Sequence, residues 1–579
     1  MHVKTCSLAL SLLTAGVFAG MTLAVTPTYA QDGPPPVAAR LAHLEGNVSL
    51  QPNGVDQWGQ AEPNQPIGAG DRVYTDQQGR GELQAGPVRA YFSANTDLTL
   101  VNLNDQGVEL GLAAGTANVF SDGFPDGQSL FISTPNGGVT LASRGKFRLD
   151  VYPDQQSSVI TIDRDGKPVE LNGAGGFQLE LEPGQSIQLS GTNPVYSQPL
   201  NPAPYDEFAH WSGGLDAHRF NSVAARYVSP EMIGYDELDG NGDWQAESDY
   251  GPIWFPHVDG GWAPYHNGHW VNRPFYGWTW VADEPWGSAP FHYGRWVQVG
   301  GRWGWIPGPR EGHPIWSPAQ VVFAGGVSFG GVGVSVWFPL GPGEAYKPWY
   351  PCSPTYINQI NISNIHESRV IHVQTTYVNV VNVTNVTYVN RTVGVTAMRQ
   401  EDFAAGKPAK TTSVKIDPKQ IEHVQPARPE AKAPAQPVIL HPVAKPAAVQ
   451  AARPVLINHT GQQVSAAPNA RPVAVPVKAA PPVVKPIPGR APIGNPSVGG
   501  KPAPAATMKP TPEAAKPMTP AEKPMAPKPA APEAKPETKP EPKSMRPTEP
   551  TTPPAAKADD KKKDDKKKDD KKTPPKKPE

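Results

Sequence analysis

Gly242-Asp-Trp244, Gly268-His-Trp270 and Gly294-Arg-Trp296 recur at a spacing of 26 residues. A second set follows each of them. Tyr250-Gly-Pro-Ile-Trp254-Phe-Pro256 recurs as Tyr276-Gly-Trp-Thr-Trp280-Val-Ala282, and again, one residue short, as Arg302-Trp-Gly-Trp305-Ile-Pro307. Each unit is two short aromatic strands and a turn. Aromatic residues suit a pleated, half-buried surface, and the glycines suit tight turns. A unit of this length cannot bury both faces, so the copies must pack on one another. The repeat over 235–310 therefore predicts an all-β unit rather than a helical one.

Outward toward the N-terminus the strand signal continues without aromatic repeats. Asp97-Leu-Thr-Leu-Val-Asn-Leu103 alternates, and Val159-Ile-Thr-Ile162 ends at Asp163-Arg-Asp165-Gly166, a hairpin signal. Phe177-Gln-Leu-Glu-Leu181, Glu182-Pro183-Gly184 and Ser186-Ile-Gln-Leu189 repeat the theme. Short strands at regular spacing make 38–200 a second all-β domain. The first thirty residues differ in kind. A positive start at Lys4, an uncharged run from Ser7 to Val25 and the small-residue site Thr28-Tyr29-Ala30 describe a secretory signal peptide over 1–30. The uncharged stretch 312–343 is rich in Gly, Val and Ser and predicts a β-hairpin rather than a membrane helix.

Two resemblances follow from ordered motifs. Leu44-Glu-Gly46-Asn-Val48, Ile67-Gly-Ala-Gly70-Asp71-Arg-Val73, Gly79-Arg-Gly-Glu82-Leu83, Leu112-Ala-Ala-Gly115, Ile132-Ser-Thr134-Pro135-Asn136 and Phe147-Arg-Leu-Asp150-Val151 resemble the FecR domain. FecR proteins usually carry a cytoplasmic anti-sigma segment and a membrane helix before this domain. Here a signal peptide stands there, so the sigma-regulating role is not carried over. Residues from about 205 resemble the uncharacterised Trp/Tyr-rich family found behind FecR domains in bacterial exported proteins. The matching pieces are Ala225-Arg-Tyr227-Val-Ser-Pro230-Glu231-Met232, the repeats, and Trp337-Phe-Pro-Leu-Gly341-Pro-Gly-Glu344. That family supplies no activity to transfer.

Beyond the Trp/Tyr-rich domain, placed at 205–350, residues 351–400 are rich in Asn, Val and Thr. Tyr356-Ile-Asn-Gln-Ile-Asn-Ile-Ser-Asn-Ile365 and Tyr377 to Val389 predict long strands with asparagine ladders. Residues 401–579 then hold 38 of the 71 prolines and a single aromatic ring, Phe403. Such a composition cannot bury enough apolar surface to offset its ordering entropy, which predicts a disordered tail over that whole range. The tail carries 32 Lys/Arg and 18 Asp/Glu, net +14, against −15 for residues 1–400, so a whole-chain charge of −1 hides two opposed halves.

Chemistry is sparse. Cys352 is alone once the leader with Cys6 is removed, so neither an intrachain disulfide nor a multi-cysteine zinc site is available. His257, His266, His269 and His292 with Asp259 and Asp283 lack metal-ligand spacing, and Asp239-Gly-Asn241-Gly-Asp243 lacks the later residues of a calcium loop. No nucleophile elbow or phosphate-binding loop is present, and Asp283-Glu284 are adjacent rather than facing. No catalytic, cofactor or metal residue is assigned. The remaining binding feature is aromatic: Trp244, Trp254, Trp270, Trp280, Trp296 and Trp305 form either a surface for sugar rings or extended peptides, or the core of their own domain, the latter being expected for most of them. The sequence thus describes a non-enzymatic exported envelope protein that binds or scaffolds. Its expected partners are anionic envelope polymers through the tail and an envelope protein through the FecR-like domain, with no nucleic acid and no membrane span after cleavage. The alternatives are a signalling accessory and a glycan-active enzyme with a Trp-lined cleft.

Overall fold

The computed structural model describes residues 33–34, 38–365, 388–449 and 454–466, apart from 105, 248, 275 and 423–424. The signal peptide and the Tyr377 to Val389 strand, save its last two residues, lie outside the described residues, as does the tail beyond 466.

The N-terminal unit is two β-sheets that share one strand. Gly107–Ser121 runs through both and turns from one to the other at Gly115, which has φ +86°. Its second half pairs with Val88–Phe92 and Gly145–Tyr152. Arg80–Ala85 and then Ala39–Glu45 extend that sheet one way; Ser157–Ile162, Ser186–Ser190 and Tyr196–Leu200 extend it the other. The first half of the shared strand pairs with Asp97–Asn104 and, in parallel, with Ser129–Ser133. Arg72–Thr75, Val48–Gln51 and Trp58–Gln60 continue this second sheet to one edge; Gly138–Leu141, Val169–Gly173 and Phe177–Leu181 continue it to the other. Alternate residues of both sheets, among them Leu41, Leu83, Leu98, Leu110, Leu149 and Ile160, make one aliphatic core. Each such side chain contributes about 1.5–3 kcal/mol by leaving water.

The repeat is three β-hairpins. Gly242–Glu247 pairs with Gly251–Pro256, Gly268–Arg273 with Gly277–Ala282, and Arg295–Val299 with Arg302–Ile306. In each, the Gly-x-Trp indole stands directly opposite a second tryptophan: Trp244 faces Trp254, Trp270 faces Trp280 and Trp296 faces Trp305. The missing residue of the third copy is a turn difference. Its strands are joined by Gly300-Gly301, both at positive φ (57° and 79°), the two-residue turn that suits strand twist. The repeat glycine also has a packing reason. A Cβ on Gly242, Gly268 or Gly294 would lie within 2.7 Å of the indole of Trp254, Trp280 or Trp305 respectively. The three Gly-x-Trp segments occupy equivalent positions in their hairpins, but the hairpins are not successive in one sheet. The first and third join through Trp254 and Trp305, while the second stands apart.

Residues 321–339 form the expected antiparallel strands, Val321–Ala324 against Val332–Pro339. Among the described residues no helix is long and apolar enough to cross a membrane.

Two expectations are corrected. Residues 354–362 are an α-helix, Pro354–Ile362, not a strand. Ser353 caps it through the Tyr356 amide at 3.1 Å, and Pro354 occupies a first-turn position where its missing N–H has no consequence. Tyr356 and Ile360, four residues apart, are buried, and Asn361 and Asn364 bond backbone groups rather than each other. The tail also starts later than residue 401. Phe403, Ala409 and Ile421 are buried, Thr396–Arg399 and Pro426–Ala427 add to the Val321–Pro339 sheet, and Val455–Ile457 pairs with Gln463–Ser465. Composition averaged over 401–579 conceals these isolated apolar anchors.

Candidate functional site

The outward face of the first sheet is polar, yet it is buried. Alternation places Arg40 and Ala42, then Glu82 and Gln84, Arg89 and Tyr91, Asn118, and Arg148 and Asp150 on that face across five neighbouring strands. The helix Glu207–Phe220 and the short turn Tyr235–Leu238 cover it. Asp206 caps this helix on the Ala209 amide and takes the Arg148 guanidinium at 2.6 Å. Asn118 donates to Ser212 at 2.9 Å, Tyr91 to Asp216 at 2.7 Å, and Arg219 to Asp122 at 2.7 Å. Burial raises the Asp216 pKa, partly offset by the Tyr91 hydrogen bond and the Lys146 ammonium. This is a hydrogen-bonded seam rather than a greasy one.

At one end of the seam the two β units and the Tyr235–Leu238 turn meet. Arg40 donates to Gln84 (3.0 Å), Asn64 (2.7 Å) and Glu237 (2.6 Å). Asn64 in turn donates to the carbonyls of Ala282 and Glu284, where the second hairpin ends. Beside this node lies a half-open cleft of about 290 Å³, lined by Arg40, His43, Asn64, His218, Glu237 and Asp239 with several others. His43 sits at φ +47° in a bulge of the first strand, where pairing shifts between Ala42 and Glu45. A bulge re-aims a side chain, and left-handed backbone outside glycine is uncommon. Here it directs the imidazole to 3.7 Å from Glu82 and 3.8 Å from Glu237, two carboxylates that are themselves buried. Burial raises the Glu237 pKa, and Arg40 offsets only part of that. The arrangement can hold a small polar or cationic group against the two carboxylates. No serine or cysteine is among its lining residues.

The residues singled out by sequence lie elsewhere. Trp254, Trp270, Trp280, Trp296 and Trp305 are each no more than 1 % exposed, and Trp244 is half-buried against Tyr227. They do not form a binding surface. Their indoles join Trp286, Phe291, Phe323, Trp337 and Phe403 in one aromatic core of edge-on, tilted and stacked contacts, because each hairpin presents its paired rings to the others. Several ring nitrogens donate to carbonyls, as Trp296 to Pro290 and Trp305 to Tyr293.

The histidines considered for a metal are dispersed. His257 pairs with Asp243 at 3.0 Å on the surface; His292 is buried and bonded to the Ser317 carbonyl at 2.8 Å; His269 lies 3.7 Å from Glu62. Among the described residues no group of three or more His, Cys, Asp or Glu could hold a metal ion. Glu284 is held by the Trp262 ring nitrogen at 2.7 Å, and burial pushes its pKa up to about 7. No motif in the sequence marks Arg40, His43, Asn64 or Glu237. The one available signal was the run of opposite charges at outward strand positions, which reads equally well as a solvated face.

Residues 235–344 match a family of unknown function, DUF6600. The matched span runs from the Tyr235–Leu238 turn through the three hairpins to Glu344, so it takes in the Trp core and Glu237 but not His43. No curated protein matches the chain. Two crystal structures of a protein from Parabacteroides distasonis described as an anti-sigma factor show remote similarity. One is 13 % identical with a TM-score of 0.19, covering 22 % of this chain and 59 % of that one. The other is 12 % identical with a TM-score of 0.20, covering 32 % and 99 %.

Proposed function

We propose that the protein is a non-enzymatic, exported component of a bacterial envelope, with a FecR-like β unit and a Trp-rich unit forming one head that binds or scaffolds. The observation that carries this reading is the burial of the paired tryptophans. Rings that could have stacked on a ligand are committed to holding three hairpins together, and the charged seam ties the helix Glu207–Phe220 and the Tyr235–Leu238 turn to the neighbouring β unit. A glycan-active enzyme with a Trp-lined cleft loses its lining by the same observation.

Attachment then falls to the basic sequence after the head. Residues 467–579 carry 24 Lys/Arg and 13 Asp/Glu, net +11, while residues 1–466 carry net −12. Lys-to-anion contacts are screened beyond about 8 Å at physiological salt, whereas aromatic stacking is not. The test is co-sedimentation with purified cell-wall polymer, comparing the mature chain with one ending at residue 466, at low and high salt. The full chain should pellet at low salt and be released as salt rises, and the shortened chain should stay in solution. Equal, salt-insensitive pelleting of both would refute attachment through the basic segment.

A further inference from the structure

Two short segments of the Pro-rich region dock on the N-terminal unit in the same way. They are Pro437-Val-Ile-Leu-His441 and Pro454-Val-Leu-Ile-Asn458, which share the order proline, valine, two aliphatics and a polar residue. In both, the valine after proline points away: Val438 is 39 % and Val455 40 % exposed. In both, the next residue enters a dimple left by a glycine of the second sheet. A Cβ on Gly59 would lie 2.8 Å from Ile439, and one on Gly111 would lie 2.5 Å from Leu456. In both, the carbonyl of the fifth residue accepts a hydrogen bond. His441 takes one from the Gln60 amide at 2.8 Å, and Asn458 takes one from the Asn172 side chain at 3.4 Å. Two segments 17 residues apart thus use one recognition pattern on one sheet.

The first segment lies on the outer edge of the second sheet. Trp58–Gln60 pairs with Val48–Gln51 on its inner side, and Pro442 and Val443 pair with Gly59 and Trp58 on its outer side. Adding an extended peptide to a sheet edge takes affinity from main-chain bonds and specificity from alternate side-chain pockets. Here the affinity elements are few, and the segment is only half-buried. Val443 and Val449 nevertheless cover Trp58, leaving that indole 1 % exposed. Before the segment, Lys432, Ala433, Ala435 and Gln436 are exposed, a stretch able to swing without disturbing the core.

We propose that the Trp58–Gln60 edge with its Gly59 dimple is a docking site for extended Pro-Val-aliphatic polypeptide, filled within the chain by residues 437–443 and able to take the same segment from a second copy. Exchange between copies preserves every contact of the closed form, so only the linker conformation changes. The chain that donates its segment has an empty edge, which receives one in return.

The test uses the full-length protein with a fluorescent peptide of residues 435–445. Ile439→Asp disfavours the internal segment without touching its receptor, so the peptide should bind that variant at least tenfold more tightly than the native chain. Val438→Asp, at an exposed position, should behave as native. Native chains bearing two different tags, mixed at high concentration, should be recovered together, and excess peptide should prevent it. Failure of the peptide to bind Ile439→Asp with a native near-ultraviolet circular dichroism spectrum would overturn the docking site. Peptide binding without mixed recovery would overturn the second copy as its occupant. If Ile439→Asp does not fold, absence of mixed recovery from native chains overturns the proposal by itself.

Discussion

Gly268 sits where a Cβ would lie 2.2 Å from the Val281 carbonyl oxygen and 2.6 Å from the Trp280 ring. Gly268→Ala should therefore destabilise the protein by about 1–3 kcal/mol through overpacking, measured by urea denaturation. Gly260→Ala, at a site with nothing within 4 Å, should be close to neutral. His292 offers a residue-level test in pH. Burial holds its pKa down to about 4, below the ordinary 6.5, so the folded state refuses a proton that the unfolded chain accepts. Its contribution is full above about pH 6.5 and is lost as pH falls toward 4. His292→Gln, which cannot titrate, should reduce the stability difference between about pH 7 and pH 4.5 by about 2–3 kcal/mol relative to the native chain. Glu284, with its pKa raised to about 7, runs the opposite way: its contribution is present below the ordinary carboxylate value and fades as pH rises through 7. At this scale the sequence made the tryptophan positions plain, because their spacing is periodic. The purpose of the repeat glycine was hidden, since a turn glycine and a glycine that seats an indole look alike in one dimension.

Secondary-structure elements were legible where one force dominated. The alternating strands of 38–200 and the hairpins of the repeat have a period of two and clear turn residues, and they appear as such. Pro354–Ile362 shows the limit. Its Ile and Asn residues favour strands on propensity, but the Ser353 cap, Pro354 in the first turn and the burial of Tyr356 and Ile360 make a helix. Asn361 is its tie to the core. Its oxygen accepts from the Tyr346 amide and Arg295, and its nitrogen donates to the Tyr346 and Ile357 carbonyls. Asn361→Ala should cost about 1–3 kcal/mol by stranding the Tyr346 amide, and Ser353→Ala about 1 kcal/mol by removing the cap. Both are measurable as shifts in the urea midpoint. The seam under Glu207–Phe220 was illegible for a different reason. Its strand positions are polar, as on a solvated face, and only the helix placed over them shows that the charges are paired.

On the scale of the whole molecule, the head ends later than composition suggests. Limited proteolysis should give a resistant product that keeps Phe403 and the Val455–Ser465 hairpin; trimming to about residue 400 would show that these anchors do not hold the segment. The cleft beside His43 and the docked Pro-Val segments follow from residues far apart in sequence meeting in space, and spacing along the chain cannot show that. The central claim is that the tryptophans build the head and do not bind. Eleven of the fifteen are buried and the other four only partly covered. The direct test is acrylamide quenching of tryptophan emission in the folded full-length chain, with and without cell-wall oligosaccharide. The account predicts that most of the emission is blue-shifted from that of the unfolded chain, resists quenching, and is unchanged by the saccharide. Ready quenching that saccharide suppresses, with a shift in emission, would contradict it.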